Sequence, residues 1–320
     1  MIPLLINELL HIKYPIIQGG MTSISDGKFA ASVSEAGGLG VIATGLWDKN
    51  RVKDEIHILK SLTNKPFGVN LYMMSPYIDE LVDLMVEERV PVITTGAQSP
   101  EKYIQRLKAS GSLIFPVVSS VSVAKRIAKF GVDGFIAEGM ESGGHIGKAT
   151  TMALLPQMIK EIHLPIIAAG GIATGSQLAA CLQMGASGIQ IGTVLIASNE
   201  CPVHQNYKEA ILKARDNDTT VILKNTGSPV RVLKNQLARE YKEMEKNNIY
   251  PEDIRNKEAE ALQKGIFEGD INMGCLPLGQ IAGIVSSIKP VKVILDDIIE
   301  EAISSIEALH DNIDKLNGGK

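Results

Sequence analysis

The sequence predicts an α/β protein: a (β/α)8 TIM barrel with a small helical lid domain inserted after the eighth strand. Three observations predict it. Eight short apolar runs follow one another with one helix-like stretch between each pair. Near-continuously apolar strands joined by helices form parallel sheets covered on the outside, and eight such units close into a barrel. A polar residue or glycine also recurs at the C-terminal end of nearly every run: Gly20, Asn70, Gly96, Glu138, Gly171 and Gly192. An open doubly wound sheet would instead concentrate such residues at one switch point. The alternation stops near residue 200.

In chain order, Tyr14 to Met21 reads as a buried strand ending in glycines, and Asp26 as the N-cap of a helix over 26–36. Gly37 to Thr44 terminates that helix and supplies the second strand. Its glycines precede the strand instead of leading from it into a helix, so the GxGxxA string there is not a dinucleotide fingerprint. Helices over 49–62, 78–88, 101–109, 121–130, 151–162 and 176–184 then separate strands at 66–72, 90–97, 113–118, 134–138, 164–171 and 188–193. Residues 201–273 are more polar, with helices expected over 234–246 and 253–264, and form the expected lid. Residues 278–285 return to the barrel, and 291–316 form an amphipathic, acid-rich helix outside it. The expected domains are therefore 1–200 with 274–320 as the barrel, and 201–273 as the lid.

Composition narrows the function classes. Hydrophobic residues make up 45% and charged residues 21%, and the formal net charge is -4, which gives no electrostatic basis for binding nucleic acid or an anionic membrane. No apolar run reaches the ~18 residues of a membrane span, and the N-terminus lacks a secretion-signal pattern. Cys181, Cys201 and Cys275 are far apart and show no metal spacing; they are expected to be free thiols of a cytoplasmic protein, with no metal site.

The chemistry centres on residues 138–147, where Gly143, Gly144 and Gly147 surround His145 at the end of the sixth strand. Glycines let backbone approach a flat or anionic ligand, and a histidine there can move a proton or polarise a carbonyl. The loops after strands seven and eight, Ala169-Gly170-Gly171-Ile172-Ala173 and Gly192-Thr193, suit a phosphate cradled by backbone amides at a helix N-terminus. Gly20, Met21, Thr22, Gly96 and Ala97 could meet a ring face, while Asn70 and Gln190 could read its polar edges. With Glu138 on the same rim, these residues form the expected binding set for flavin mononucleotide (FMN). His11, His57, His163 and His310 lie away from the strand ends; His204 is a lid candidate, and Lys148 and Arg231 could meet anionic groups.

Six ordered strings carry a family resemblance: Gln18-Gly19-Gly20-Met21, Ala36-Gly37-Gly38-Leu39-Gly40, Lys65 to Asn70, Thr94-Thr95-Gly96-Ala97, Glu141 to His145, and Ala168 to Ala173. Over nearly the whole chain it resembles the nitronate monooxygenase and flavin-dependent enoyl-reductase superfamily. The loop Gly143 to Met152 is similar to that of enoyl-acyl-carrier-protein reductase II, the FabK type, as are Asn206 to Glu209 and Leu233 to Leu237. That resemblance implies bound FMN reduced by NADH or NADPH, hydride transfer to a trans-2-enoyl thioester on acyl carrier protein, and His145 as the catalytic residue. A cationic entrance built from Lys148, Lys208, Lys213, Lys224, Arg231 and Lys234 would suit an acidic carrier protein. The alternative is a nitronate monooxygenase, in which His145 removes the acidic proton of a nitroalkane and oxygen accepts the electrons. A monovalent-cation requirement and a homodimer stay open.

Two loops depart from the reductase pattern. Met21-Thr22-Ser23-Ile24-Ser25-Asp26 stands where Met-Ala-Trp-Val-Ala-Asp is usual, and Gly45-Leu46-Trp47-Asp48 replaces a Gly-Asn-Ala-Pro-like turn. Trp47 either restores the lost aromatic surface or packs as an ordinary loop residue.

Overall fold

The structure is a computed structural model that describes residues 4–247 and 254–316. Eight parallel strands run β1 (Ile16–Gln18), β2 (Gly40–Ala43), β3 (Phe67–Tyr72), β4 (Val92–Gly96), β5 (Leu113–Val118), β6 (Phe135–Glu138), β8 (Ile166–Ala169) and β9 (Gly188–Ile191), with β7 (Gly144–His145) outside their sheet. Their spatial order is β1-β9-β8-β6-β5-β4-β3-β2. A parallel bridge between Ile17 and Leu39 joins β1 to the residue before β2 and brings the two ends of the sheet together. The (β/α)8 barrel expected from the alternation is the observed fold.

Pleating sorts the side chains. Ile17, Leu39, Val41, Val92, Phe115, Ile136, Ile167 and Ala169 share one buried cluster, the barrel interior. Ile6 and Leu10 of the short helix Ile6–Leu10 join it, so that helix plugs the N-terminal end. The alternate residues, such as Ile16, Val69, Ile93 and Ile189, pack outward against the helices. Continuing the same alternation toward the C-terminal end points Asn70, Thr94, Glu138 and Gln190 inward at the mouth. Register places Ala43, Asn70 and Thr94 side by side, and likewise Glu138, Ala169 and Gln190.

Helix entries follow local chemistry. The Asp26 carboxylate accepts from Phe29 N at 2.8 Å and Asp48 from Arg51 N at 2.8 Å, each satisfying an otherwise orphaned first-turn amide. The helix Val291–Leu316 packs against Gly175–Gln183 and Gly27–Glu35, completing the outer layer where the eighth barrel helix belongs. Cys181, Cys201 and Cys275 are free and buried; burial pushes the first two thiols up to about 11 and about 12.

The insertion differs from the helical segment expected. Besides helices Gln205–Lys213, Gln236–Asn247 and Ile254–Gln263 it carries strands β10 (Thr219–Ile222) and β11 (Val230–Leu233). These pair antiparallel, and β11 pairs on with β7 to give a three-stranded sheet. β10 reads Thr-Thr-Val-Ile and β11 Val-Arg-Val-Leu, and four-residue strands in polar surroundings are too short for an alternation to stand out in the sequence. Ile222, Val230 and Val232 cover a small core with Leu237, Ala238 and Tyr241. Asp253, the expected start of the last helix of the insertion, lies outside the described residues. Among the described residues no helix is long and apolar enough to cross a membrane.

Candidate active site

His145 is exposed and sits on β7, so its backbone is placed by the insertion. Val230 pairs with His145, Arg231 pairs with Gly144, and Ile146 N donates to Pro229 O at 3.1 Å. Gly144 holds φ at +79°, a conformation that a side chain would strain. A Cβ on Gly143 would lie 2.8 Å from Leu278 N, so the returning segment packs directly on this loop.

The loop is tied to the turn after β8 through Glu141. Its carboxylate accepts from Thr151 N at 2.9 Å at the start of the helix Thr151–Glu161, where the helix dipole favours a negative charge. Thr151 Oγ1 in turn donates to Gly170 O at 2.7 Å. Glu138 stands just inside the mouth: loss of hydration pushes its carboxyl up to about 7, against a smaller opposing effect of Ser142.

On the opposite side, Asn70 Nδ2 donates to Thr94 Oγ1 at 2.8 Å, which fixes the amide plane at the rim. Gly96 has open space where its Cβ would be, and Ala97 adopts φ +76°. A Cβ on Gly192 would lie 3.5 Å from Met21 Sδ, and one on Gly45 would lie 2.8 Å from Thr22 Cγ2. The first strand's loop therefore touches both neighbouring loops. Thr193 Oγ1 accepts from Gly279 N at 3.1 Å, which anchors the return from the insertion.

The two glycine-bearing turns expected to cradle an anion differ in which backbone amides they leave free. The helix Gly175–Gln183 has already satisfied its own N-terminus: Thr174 and Gln177 form a capping box, and Gly175 N donates to Glu301 at 2.9 Å. What stays available is the turn before it, where Gly170 and Gly171 hold φ at +92° and +73°, and the first turn of Thr193–Ile196. A Cβ on Gly171 would come 3.0 Å from Glu141 Cβ, so only glycine leaves this turn open.

Several expected contributors serve the fold instead. Arg231 is 4% exposed and Lys208 6% exposed, so neither is a surface cation; Lys208 Nζ donates to Ser198 O at 2.6 Å. His204 caps the helix Gln205–Lys213 by accepting from Asn206 N at 3.1 Å. Trp47 packs partly buried on the core, with Arg51 over its ring at 5.2 Å. Conversely Thr94, Glu141 and Thr151 were not singled out; only a polar residue ending a buried strand, or one opening a helix, marks them in the sequence.

Backbone turns that tolerate no side chain, paired amides on the rim and an apolar floor suit a ligand with a flat, polar-edged ring and an anionic tail. Comparison with known proteins places the chain in a family. The chain resembles FabK from Thermotoga maritima (44% identity, 96% of this chain and 98% of that one, TM-score 0.93) and a nitroalkane oxidase from Streptomyces ansochromogenes (27%, 95% and 99%, TM-score 0.84). It is 33% identical to a probable nitronate monooxygenase of Staphylococcus saprophyticus over 81% of this chain and 86% of that one. It is also 30% identical to an octahydroindene carboxyl-CoA dehydrogenase of Rhodococcus jostii, over 95% and 97%. The family model for nitronate monooxygenase matches residues 4–81 and 73–301; the chain belongs to that family, and is a flavin-dependent oxidoreductase.

Proposed function

We propose that this protein is an FMN-dependent enoyl-thioester reductase that takes its substrate from acyl carrier protein and its electrons from NADH or NADPH. The observation that carries the reading is the 44% identity to a FabK over nearly all of both chains, against 33% and 30% for the two curated relatives described above. When bound, FMN would supply the two-electron carrier between the nicotinamide and the double bond.

The chain's own residues then divide the work. Gly170, Gly171, Gly192, Thr193 and Ala169 would form the wall that holds the phosphate. Gly20, Met21, Thr22, Gly96 and Ala97 would bound the ring, and Asn70, Glu138 and Gln190 would meet its polar edges. Gly143 and Gly144 keep the sixth loop thin enough for His145 to stand over the mouth. Its imidazole orients the thioester carbonyl and holds the proton destined for the α-carbon. Lys148, exposed three residues beyond it, is the nearest cation in sequence for an acidic carrier.

The family match and the staphylococcal relative support a second reading, a nitronate monooxygenase, with His145 as the base that removes the α-proton. Anaerobic stopped-flow on FMN-loaded protein separates the two. The reductase reading expects the flavin to bleach with NADH or NADPH and to recover on adding a crotonyl thioester. Bleaching by a nitronate, with none by either nucleotide, would overturn it in favour of the second reading.

A further inference from the structure

We infer that Arg231, a residue of the insertion, is a positioning residue for His145. This rests on the reading that His145 acts on the substrate. Strand β11 lies between β10 on one edge and, on the other, β7 followed by the returning segment, where Val232 bridges Pro277. Arg231 sits at the centre of that arrangement. It pairs with Gly144, the neighbour of His145, and its carbonyl accepts from Leu278 N at 3.3 Å. Val230 and Val232 point into the insertion's core, so the pleat turns Arg231 to the other face, toward the barrel.

There the guanidinium spans two bodies. Nε donates to Met140 O at 3.0 Å, on the barrel loop that leads into β7, and Nη1 donates to Thr219 Oγ1 at 3.2 Å, on β10. The side chain thus clamps the loop before His145 to the sheet that carries it. The guanidinium makes these contacts buried, where loss of hydration lowers its pKa and the Glu141 charge across the loop offsets only part of that. A buried arginine held by a backbone carbonyl and a hydroxyl costs desolvation, and a methionine of similar length would fill the space more cheaply. Precise donors at fixed spacing are what methionine cannot supply.

The test uses the FMN-loaded full chain with Arg231→Met and Arg231→Lys, each with and without His145→Ala. The chain has 6 histidines, so a 13C-histidine spectrum can be assigned for His145 by the signal lost in H145A. R231M should shift or broaden the His145 signal and leave the other five in place, and R231K should recover part of the shift. Turnover of the thioester should fall about 10- to 100-fold in R231M through kcat, with KM changed little. In the H145A background the same substitution should cost less than about twofold, because the two residues act as one unit. Should R231M not fold, R231K bears the same two requirements. An unmoved His145 signal, or an equal loss of turnover in both backgrounds, overturns the inference. The spectrum is read without substrate, so a chain inactive on thioester overturns the functional reading and leaves this one to the spectrum.

Discussion

Gly20 and Asn70 share one corner of the barrel mouth: a Cβ on Gly20 would lie 2.4 Å from Asn70 Cβ and 2.5 Å from its Cγ. The absence of a side chain at one position is therefore what lets the other hold its amide against Thr94. Gly20→Ala should push Asn70 off that hydrogen bond and weaken FMN binding at least about tenfold, some 1.4 kcal/mol. Fluorescence titration of the apoprotein reads this directly. Because the clash begins at Asn70 Cβ, Asn70→Gly, which removes that atom, should take away most of the extra cost of G20A. Additive losses would mean that Gly20 acts by some other route.

The turn after β8 makes a different prediction, because it concerns only the ligand's anionic end. Gly171 holds φ +73° with Glu141 beside it, so Gly171→Ala strains the turn and narrows the cradle. FMN affinity should fall about tenfold or more while riboflavin, which lacks the phosphate, binds within about twofold of its affinity for the unaltered chain. An equal loss for both ligands would place the phosphate elsewhere.

These positions also show what a sequence can and cannot disclose. Gly20, Asn70, Gly171 and Gln190 end strands whose apolar runs are unmistakable, so both the barrel and its rim follow from periodicity. Arg231 belongs to a four-residue strand paired with a two-residue one, and its two acceptors are Met140, 91 residues away in sequence, and Thr219. No local pattern records a partnership of that separation, so it reads as an ordinary surface cation. His204 shows the reverse: a histidine in a polar segment reads as chemistry, whereas its ring caps the helix that follows. The capping box at Thr174 and Gln177 is legible in the sequence as Thr-x-x-Gln, and it shows that the helix after Gly170 and Gly171 caps itself.

The opposite end of the barrel should be separable from the site. Ile6 is fully buried and plugs the interior beside Ile17 and Ile167, while Ile6 N donates to Ser187 O at 2.7 Å. Ile6→Ala leaves a cavity there and should cost about 2–5 kcal/mol, seen as a lower urea midpoint at unchanged slope. FMN affinity should stay within about twofold, since the ligand end is built from the other termini of the strands. A loss of flavin at urea concentrations where the chain is still folded would show that the two ends are coupled.

Glu138 predicts a pH signature for the apoprotein. Its carboxyl is raised from an ordinary 4.5 to about 7, so the folded chain holds that proton more tightly than the unfolded chain does. Below about 4.5 both states are protonated and the half-buried carboxyl costs nothing extra. Between about 4.5 and about 7 only the unfolded chain ionises freely, so the penalty on folding grows, and above about 7 it is constant. Glu138→Gln removes the ionisation and keeps the shape. The variant should therefore be more stable than the unaltered apoprotein at pH 8, by roughly 1–3 kcal/mol because the residue is only partly shielded from solvent. Urea melts at pH 8 and pH 4 should show that gap nearly closed at the lower pH. A gap of equal size at both would mean that the carboxyl is not raised, and that Glu138 meets the ligand as an ordinary carboxylate.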